Sequence, residues 1–580
     1  MSDTYERYRS ASDPVPAETW TWNMYGAGLE RIGKDGQPER FPVPVPGPAE
    51  LLVRVDAVGM CFSDTKLIKQ GGKHPKLYDR DLSREPTVLG HEVALTVVKV
   101  GERLADQYHP GQRLALQPDI YDRAGRNTAF GYTIRGGLSQ YQLLGPEVLD
   151  VDGKSFVMPL EGELGYAETA LTEPWACVEG AYTQRRRLEP KAGGTMWIVG
   201  RPGDATAYRC TARLGASSTF VLTDVPAGLA AAVRAEAKAR GAKVIEKDGL
   251  GPAAYGDLRA ECTGGAGFDD VIVLGPRSPE AVGEAAKIVA RRGTFNVVGA
   301  QALSGPVQVD VGRIHYDYVA YLGNPGPDAG ASYGEARNRC ELRGGGVALF
   351  VGAAGPMGQM HVQRALELDD GPRTVIGSDV NPARLAAMVA SLSGLAEANG
   401  RKLIAVGPDQ DLAAVVARET RGRGADDVVV SVPVAAVMAQ AATHMAEDGM
   451  LVFFAGVPNG TFAPLDLSKV YLHGAQFTGT SGSALSDQAL VIEKTLRKRL
   501  SPARSVGAVG GMQAALEGVR AMLDGRYAGK ILIFPQIEGL PLTGLDELAR
   551  TEPAVAEKLG PGGVWTAAAE AALVERYWKP

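Results

Sequence analysis

Between Leu51 and Val100 the apolar residues come in short runs broken by glycine and proline, with the alternation of strands. Leu51-Leu52-Val53-Arg54-Val55 predicts a strand that delivers Cys61 just after a turn, and Val93 to Val100 predicts another behind Gly90-His91-Glu92. Gly111 to Ala115 and Gly136 to Tyr141 add two strand–turn units, so this part predicts a partly open β-barrel. From Lys191 the pattern changes to strands alternating with helical segments, the signature of parallel sheets. After Ser483 it becomes helical: Ala489, Ile492, Leu496 and Leu500 share one face, as do Met512, Leu516, Val519 and Leu523 before a Gly525 stop. Gly529-Lys530 then leads a further strand to Phe534. Residues 1–48, rich in proline, glycine and charge, predict a solvated entry segment, and those from 539 an extra helical tail without a legible role.

The middle of the chain repeats itself. Met196 to Gly203 is a strand running into a glycine-containing turn, and Val347 to Gly358 repeats it about 152 residues later. Phe220 to Asp224 matches Val375 to Asp379, Phe268 to Val273 matches Ala425 to Val430, and Gly293 to Gly299 matches Gly449 to Gly456. Leu322 to Gly326 matches Thr478 to Gly482. Matches in one order at a nearly constant offset predict a tandem duplication of a Rossmann-type βαβ domain.

The 580 residues are too many for one domain and suit three or four. A hydrophobic content of 45% suits buried cores, and a net charge of −6 leaves no footprint for nucleic acid or an anionic membrane. The first residues show no secretory pattern, and no run of about 18 apolar residues suggests a membrane span. Five scattered cysteines, never in a C-x-x-C word, fit a reducing compartment. A cytoplasmic protein is expected.

Cys61-Phe62-Ser63-Asp64 and Gly90-His91-Glu92 bring a thiolate, an imidazole and a carboxylate onto segments that one sheet can join, a donor set of the kind zinc takes. Leu171-Thr172-Glu173-Pro174-Trp175 offers a second carboxylate. These words, in this order, resemble the zinc-dependent medium-chain dehydrogenase/reductase superfamily in its polyol dehydrogenase branch. That resemblance implies a GroES-like catalytic domain and a zinc held by Cys61, His91 and Glu173. Ser63 then takes the proton-relay position, and Asp64 orients a ligand. Lys66 stands where the relay often ends in histidine, so the proton's exit is left open. Glu92 lies beside the metal and binds when the open position is empty, or is a buried structural carboxylate. No cysteine lies between Arg113 and Tyr141, where many members hold a structural zinc, so a single zinc is expected. Gly111-Gln112-Arg113-Leu114-Ala115, Gly355-Pro356-Met357-Gly358, Phe453-Phe454-Ala455-Gly456, Gly479-Thr480-Ser481-Gly482 and Lys66 look like the L-sorbose-1-phosphate reductase group, over roughly 50–185 and 343–535.

The expected organisation is a GroES-like zinc domain over 1–185 completed by 483–538, a degenerate Rossmann copy over 190–330, an NAD-binding Rossmann domain over 343–482, and a helical tail over 539–580. In the second copy, Gly352, Gly355, Pro356, Met357 and Gly358 form the pyrophosphate turn, with Asp379 about 20 residues on to accept from a ribose hydroxyl. That carboxylate would repel a 2′-phosphate and favours NAD(H) over NADP(H); Arg384 is assigned to the adenosine side. In the first copy the register reads Arg201-Pro202-Gly203-Asp204-Ala205-Thr206. The last glycine is lost, and Asp204 puts a negative charge where phosphates meet a helix N-terminus. This copy is expected to be a spacer or an oligomer interface.

The resulting expectation is a zinc-dependent NAD(H) oxidoreductase interconverting a secondary alcohol of a polyol or sugar, phosphorylated or not, and its ketone. A homodimer or homotetramer is expected. The competing reading is a silent, metabolite-sensing or scaffolding paralogue. Lys69, Lys73, His74, Lys76, Arg80 and Arg84 form a basic run that is either a phosphate pocket or a solvated loop. Phe62, Tyr132 and Trp175 either line the substrate pocket or belong to the core.

Overall fold

Leu51–Gly59 lies at the middle of an eight-stranded sheet that is completed only when the chain returns to it late. The computed structural model describes residues 3–579 except 184, 211–213, 215 and 216. The order across this sheet is Thr543–Gly544, Val506–Gly511, Lys530–Phe534, Leu51–Gly59, Glu92–Val100, Arg113–Leu116 and Val157–Pro159, with Tyr141–Leu144 also on Leu51–Gly59. Leu532 pairs with Gly59 and Ile533 with Val58. The C-terminal strands are therefore part of the barrel, and the sheet extends past residue 538 through Thr543–Gly544.

Two parallel six-stranded sheets follow the same order. The first runs Lys243–Glu246, Thr219–Thr223, Thr195–Val199, Phe268–Leu274, Val289–Val298, Ala320–Asn324. The second runs Lys402–Val406, Thr374–Ser378, Val347–Val351, Ala425–Val430, Met445–Phe453, Gln476–Gly479. Each starts at its centre and winds outward on both sides, the doubly wound arrangement that the repeated words predict. The fold is thus α/β, a barrel-like domain joined to two Rossmann-type domains.

The copies are packed as a pair about an approximate two-fold axis. Val307–Asp310 of the first runs antiparallel to Phe462–Leu465 of the second, its counterpart, with Val307 opposite Leu465 and Asp310 opposite Phe462. A self-complementary pairing of this kind is the mark of an isologous contact. Phe295, Val297 and Tyr321 share one hydrophobic core with Phe453, Val470 and Tyr471.

The helix Tyr166–Gly180 joins the barrel to the second copy. Leu171, Trp175 and Val178 are fully buried in a core that also holds Ala57 and Ala94 of the barrel and Phe350 and Met360 of the second copy.

The entry segment is not the solvated stretch that its composition predicts. Asp3–Ser10 is a helix that buries Tyr5 and Tyr8. Tyr8 donates to Asp56 at 2.7 Å, lies 3.7 Å beneath the Arg54 guanidinium, and meets Tyr166 and Trp578 edge-on. Trp22 is fully buried and donates to the Met512 carbonyl. The segment's average polarity conceals these aromatic anchors, each with a large area to bury.

Candidate active site

Strand geometry brings the two candidate ligand words of the sequence to one place. Cys61 follows the end of Leu51–Gly59, and His91 immediately precedes Glu92–Val100, which pairs with that strand. Gly90 makes the approach possible: its φ is 94°, and a Cβ there would lie 2.7 Å from Val58 Cγ1. The candidate ligand atoms of Cys61, His91 and Glu92 all lie within 4.8 Å of one another. His91 Nδ1 faces Asp64 Oδ1 at 3.1 Å, which turns Nε2 toward the cysteine side. Ser63 Oγ lies 3.2 Å from Cys61 Sγ and 3.4 Å from His91 Nε2, and accepts from Tyr132 Oη at 3.1 Å.

The two carboxylates differ. Glu92 is fully buried and its Oε1 is held by Lys530 at 2.5 Å, while its Oε2 has no partner among the described residues. Glu173, projecting from the helix Tyr166–Gly180, lies outside the compact triplet but lines the same cleft. Burial pushes its carboxyl up to about 7, Glu92 and Asp119 add to the rise, and His91 and Lys530 oppose it. Its Oε1 lies 3.9 Å from the Cys177 thiol. A buried carboxylate this poorly compensated, beside an orphaned carboxylate oxygen, a thiol and an imidazole, is a donor set that a divalent cation would satisfy.

The cleft has a volume of about 450 Å³. Besides these groups it is lined by Lys66, His74, Lys76 and Tyr132 from the barrel and by Met357, Phe454 and Ser481 from the second copy. The glycine turn of the second copy thus opens toward the Cys61–His91 cluster. Lys66 is exposed at the rim; Lys76 pairs with Asp119 at 2.9 Å and lies over the Tyr132 ring. Of the remaining basic run, Lys73 pairs with Asp79 and Arg80 donates to the Thr133 carbonyl. Trp175 is core, with its indole donating to Ser505, whereas Phe62 is 64% exposed.

In the second copy Gly355 opens the helix Pro356–Glu367. A Cβ on Gly355 would meet only the Gly352 carbonyl at 3.8 Å, so the absent side chain leaves free space above the turn. Gly358 differs: a Cβ there would lie 2.9 Å from the Ala353 backbone. Asp379 accepts from the amides of Ala354 and Asn381, both at 3.0 Å, and the Arg384 guanidinium donates to the Gly525 carbonyl at 2.8 Å. In the first copy no helix lies between Thr195–Val199 and Thr219–Thr223 among the described residues. Asp204 accepts from the Thr206 amide, and Asp224 is engaged by Arg277 at 3.0 Å.

Residues 47–151 match the alcohol dehydrogenase GroES-like domain family. Mannitol-1-phosphate 5-dehydrogenase of Aliivibrio fischeri is 24% identical over 94% of this chain and 96% of its own length, a match that runs through both nucleotide-fold copies. L-sorbose 1-phosphate reductase of Klebsiella pneumoniae is 26% identical over 51% of this chain and 75% of its own. The chain is thus similar to dehydrogenases and reductases of the alcohol and polyol type. Its fold is similar to that of 2R,3R-butanediol dehydrogenase from Bacillus subtilis, with a TM-score of 0.51 and 16% identity over 89% of this chain and 99% of that one. No helix among the described residues is long and apolar enough to cross a membrane.

Sequence reasoning misses four residues at the site. Lys530, the partner of Glu92, is 438 positions away. Cys177 sits one turn beyond Glu173, a spacing that places both on one helix face. His315 and Tyr316 enter the cleft from the first Rossmann copy, and no local word announces them.

Proposed function

We propose that this chain is a zinc-dependent oxidoreductase that interconverts a secondary alcohol of a polyol or sugar and its ketone, using NAD(H). The observation that carries the reading is the convergence of Cys61, His91 and Glu92 within 4.8 Å in a cleft that Glu173 and the nucleotide turn also line. Cys61, His91 and Glu173 would hold the ion, with Glu92 beside it and tied to Lys530. When bound, zinc supplies a Lewis acid that polarises the alcohol or carbonyl oxygen, and the nicotinamide supplies the hydride acceptor or donor.

Ser63 Oγ is in reach of that chemistry, and accepting from Tyr132 leaves it a free lone pair for the substrate's hydroxyl proton. Asp64 fixes the His91 ring. Asp379 closes the nucleotide turn with its carboxylate, and a negative group there disfavours a 2′-phosphate, hence NAD(H). Lys66, exposed at the rim, gives the cleft a positive charge suited to a phosphorylated sugar, while the charge of Lys76 is offset by Asp119. The names of the two curated relatives, a mannitol-1-phosphate dehydrogenase and a sorbose 1-phosphate reductase, point the same way.

The test is NAD(H)-coupled absorbance with a panel of polyols and their phosphates, before and after chelation, together with metal analysis. Turnover that disappears with the metal and returns with zinc is expected. Chelator-insensitive turnover would remove zinc from the mechanism.

A further inference from the structure

The first Rossmann copy has lost the features that hold a dinucleotide, yet it shares a hydrophobic core with the second. Val311–Tyr316 is a short helix whose first residue is tied to the second copy: the Val311 amide donates to the Thr461 carbonyl at 3.0 Å. Its C-terminal end is pushed through the cleft wall. The His315 backbone would stand 3.2 Å from a Cβ on Gly479, so glycine there gives it room. Tyr318, just beyond, donates to the Ser481 carbonyl at 2.7 Å.

Two polar tips therefore arrive in the cleft from outside the catalytic domain. His315 Nε2 and Tyr316 Oη converge over Gly456, where a Cβ would lie 2.8 Å from Nε2 and closer still to the hydroxyl. His315 Nδ1 stands 3.1 Å from the Phe453 carbonyl, which only accepts, so Nδ1 carries the proton and Nε2 keeps a lone pair. Burial pushes the imidazole down to about 4, so it stays neutral in this tautomer. The ring of Tyr316 stands edge-on to that of His315 at 4.5 Å and is only partly exposed. An acceptor and a hydroxyl fixed side by side suit a hydroxyl-bearing chain that donates to one and exchanges a hydrogen bond with the other.

The two-fold relation makes the asymmetry informative. Tyr471, which follows Phe462–Leu465 as His315 follows Val307–Asp310, reaches the opposite way and is consumed by the Gln301 carbonyl at 2.6 Å. One of the two reciprocal insertions ends in a backbone contact; the other ends in the cleft.

We propose that the first Rossmann copy is a substrate-recognition element, which supplies His315 and Tyr316 to bind the hydroxyls of a polyol distant from its reacting carbon. This rests on the polyol reading above and adds to it a specificity site supplied by a domain that carries no nucleotide. A short diol without distal hydroxyls would not engage the pair.

The test compares a hexitol with 2,3-butanediol in the full-length, zinc-loaded protein and its Tyr316→Phe and His315→Gln variants, with NADH binding followed by fluorescence. Each variant is expected to lower kcat/KM for the hexitol about five- to tenfold, the size of one hydrogen bond, mostly through KM. Butanediol turnover and NADH binding should stay unchanged. Equal losses on both substrates, or none on either, would overturn the proposal. If the wild-type protein oxidises no polyol, the oxidoreductase reading has failed instead. Calorimetric titration with the hexitol then decides the inference alone: binding that both variants weaken supports it, and binding that is absent or unaltered overturns it.

Discussion

The carboxylate of Glu570 accepts the backbone amide of Tyr166 at 2.7 Å and, with its other oxygen, that of Ala167 at 2.8 Å. A residue from the C-terminal tail thus closes the first turn of the helix that carries Glu173, where amides have no intrahelical partner. The tail is accordingly a clamp on the cleft's supporting helix. Ala569 and Leu573 of the same tail helix are fully buried in the core that contains Trp175.

Replacing Glu570 with alanine should cost about 1–2 kcal/mol of stability, the usual worth of a lost helix cap. The direct readout is amide hydrogen exchange: protection at Tyr166 and Ala167 should fall while the Rossmann sheets keep theirs. Unchanged protection at those two amides would dismiss the clamp.

The two candidate carboxylates should separate under mutation. Glu173→Gln is expected to leave the fold intact but lower the zinc content after dialysis, because among the described residues its carboxylate makes no ion pair that the substitution would break. Glu92→Gln should instead destabilise the protein by about 3–5 kcal/mol, since Lys530 would be stranded without its partner in a buried site. The double variant Glu92→Leu/Lys530→Met should recover most of that loss. Metal analysis and urea unfolding of the variants distinguish the two roles, and a fall in zinc with Glu92→Gln alone would exchange them.

The nucleotide turn makes a prediction at the level of one methyl group. Gly358→Ala should weaken the whole second domain, because its Cβ would collide with the Gly352 carbonyl and press on the Ala353 backbone. Gly355→Ala should fold normally and weaken NAD(H) binding, since its Cβ enters only open space over the turn. Asp379→Ala should narrow the preference for NAD(H) over NADP(H), at some cost to a turn that its carboxylate also braces. Calorimetry with the wild-type chain should find about one dinucleotide per chain, a stoichiometry set by the second fingerprint alone. A second equivalent bound by the first copy would refute this.

What could be read from the chain follows the range of the interactions. Cys61, Ser63 and Asp64 occupy one short word and His91 and Glu92 another, and a strand pair suffices to bring the words together. The duplicated sheets were equally legible, because each strand carries its own apolar run and each turn its own glycine. The rest depends on contacts between distant segments. Lys530 meets Glu92, and Glu570 meets Tyr166, through tertiary packing that leaves no local period. Tyr5 and Tyr8 are lost in a polar average although they anchor the entry helix. His315 is the sharpest case: its chemistry depends on Phe453, Gly456 and Gly479, which belong to the other copy.

His361 supplies a pH dependence whose sign can be worked out. It is fully buried on the helix Pro356–Glu367, 2.7 Å from Tyr182 Oη through Nδ1 and edge-on to Phe454, and its Nε2 has no partner among the described residues. Burial, aided by the neighbouring Arg364 charge, lowers it to about 3, against about 6.5 in an unfolded chain. The unfolded state therefore takes up a proton that the folded state refuses, so the contribution to stability is complete above about pH 6.5 and is lost as pH falls toward 3. Each pH unit in that window is worth up to about 1.4 kcal/mol. Between pH 7 and pH 5 the wild-type protein should lose about 2 kcal/mol more than His361→Gln, which has no proton to gain. Urea unfolding of both proteins at the two pH values, followed by tryptophan fluorescence, measures the difference; other titrating groups cancel because both proteins share them. Parallel losses in the two proteins would mean that the folded state admits the proton after all, with the imidazole opening toward water on a local unfolding of its helix.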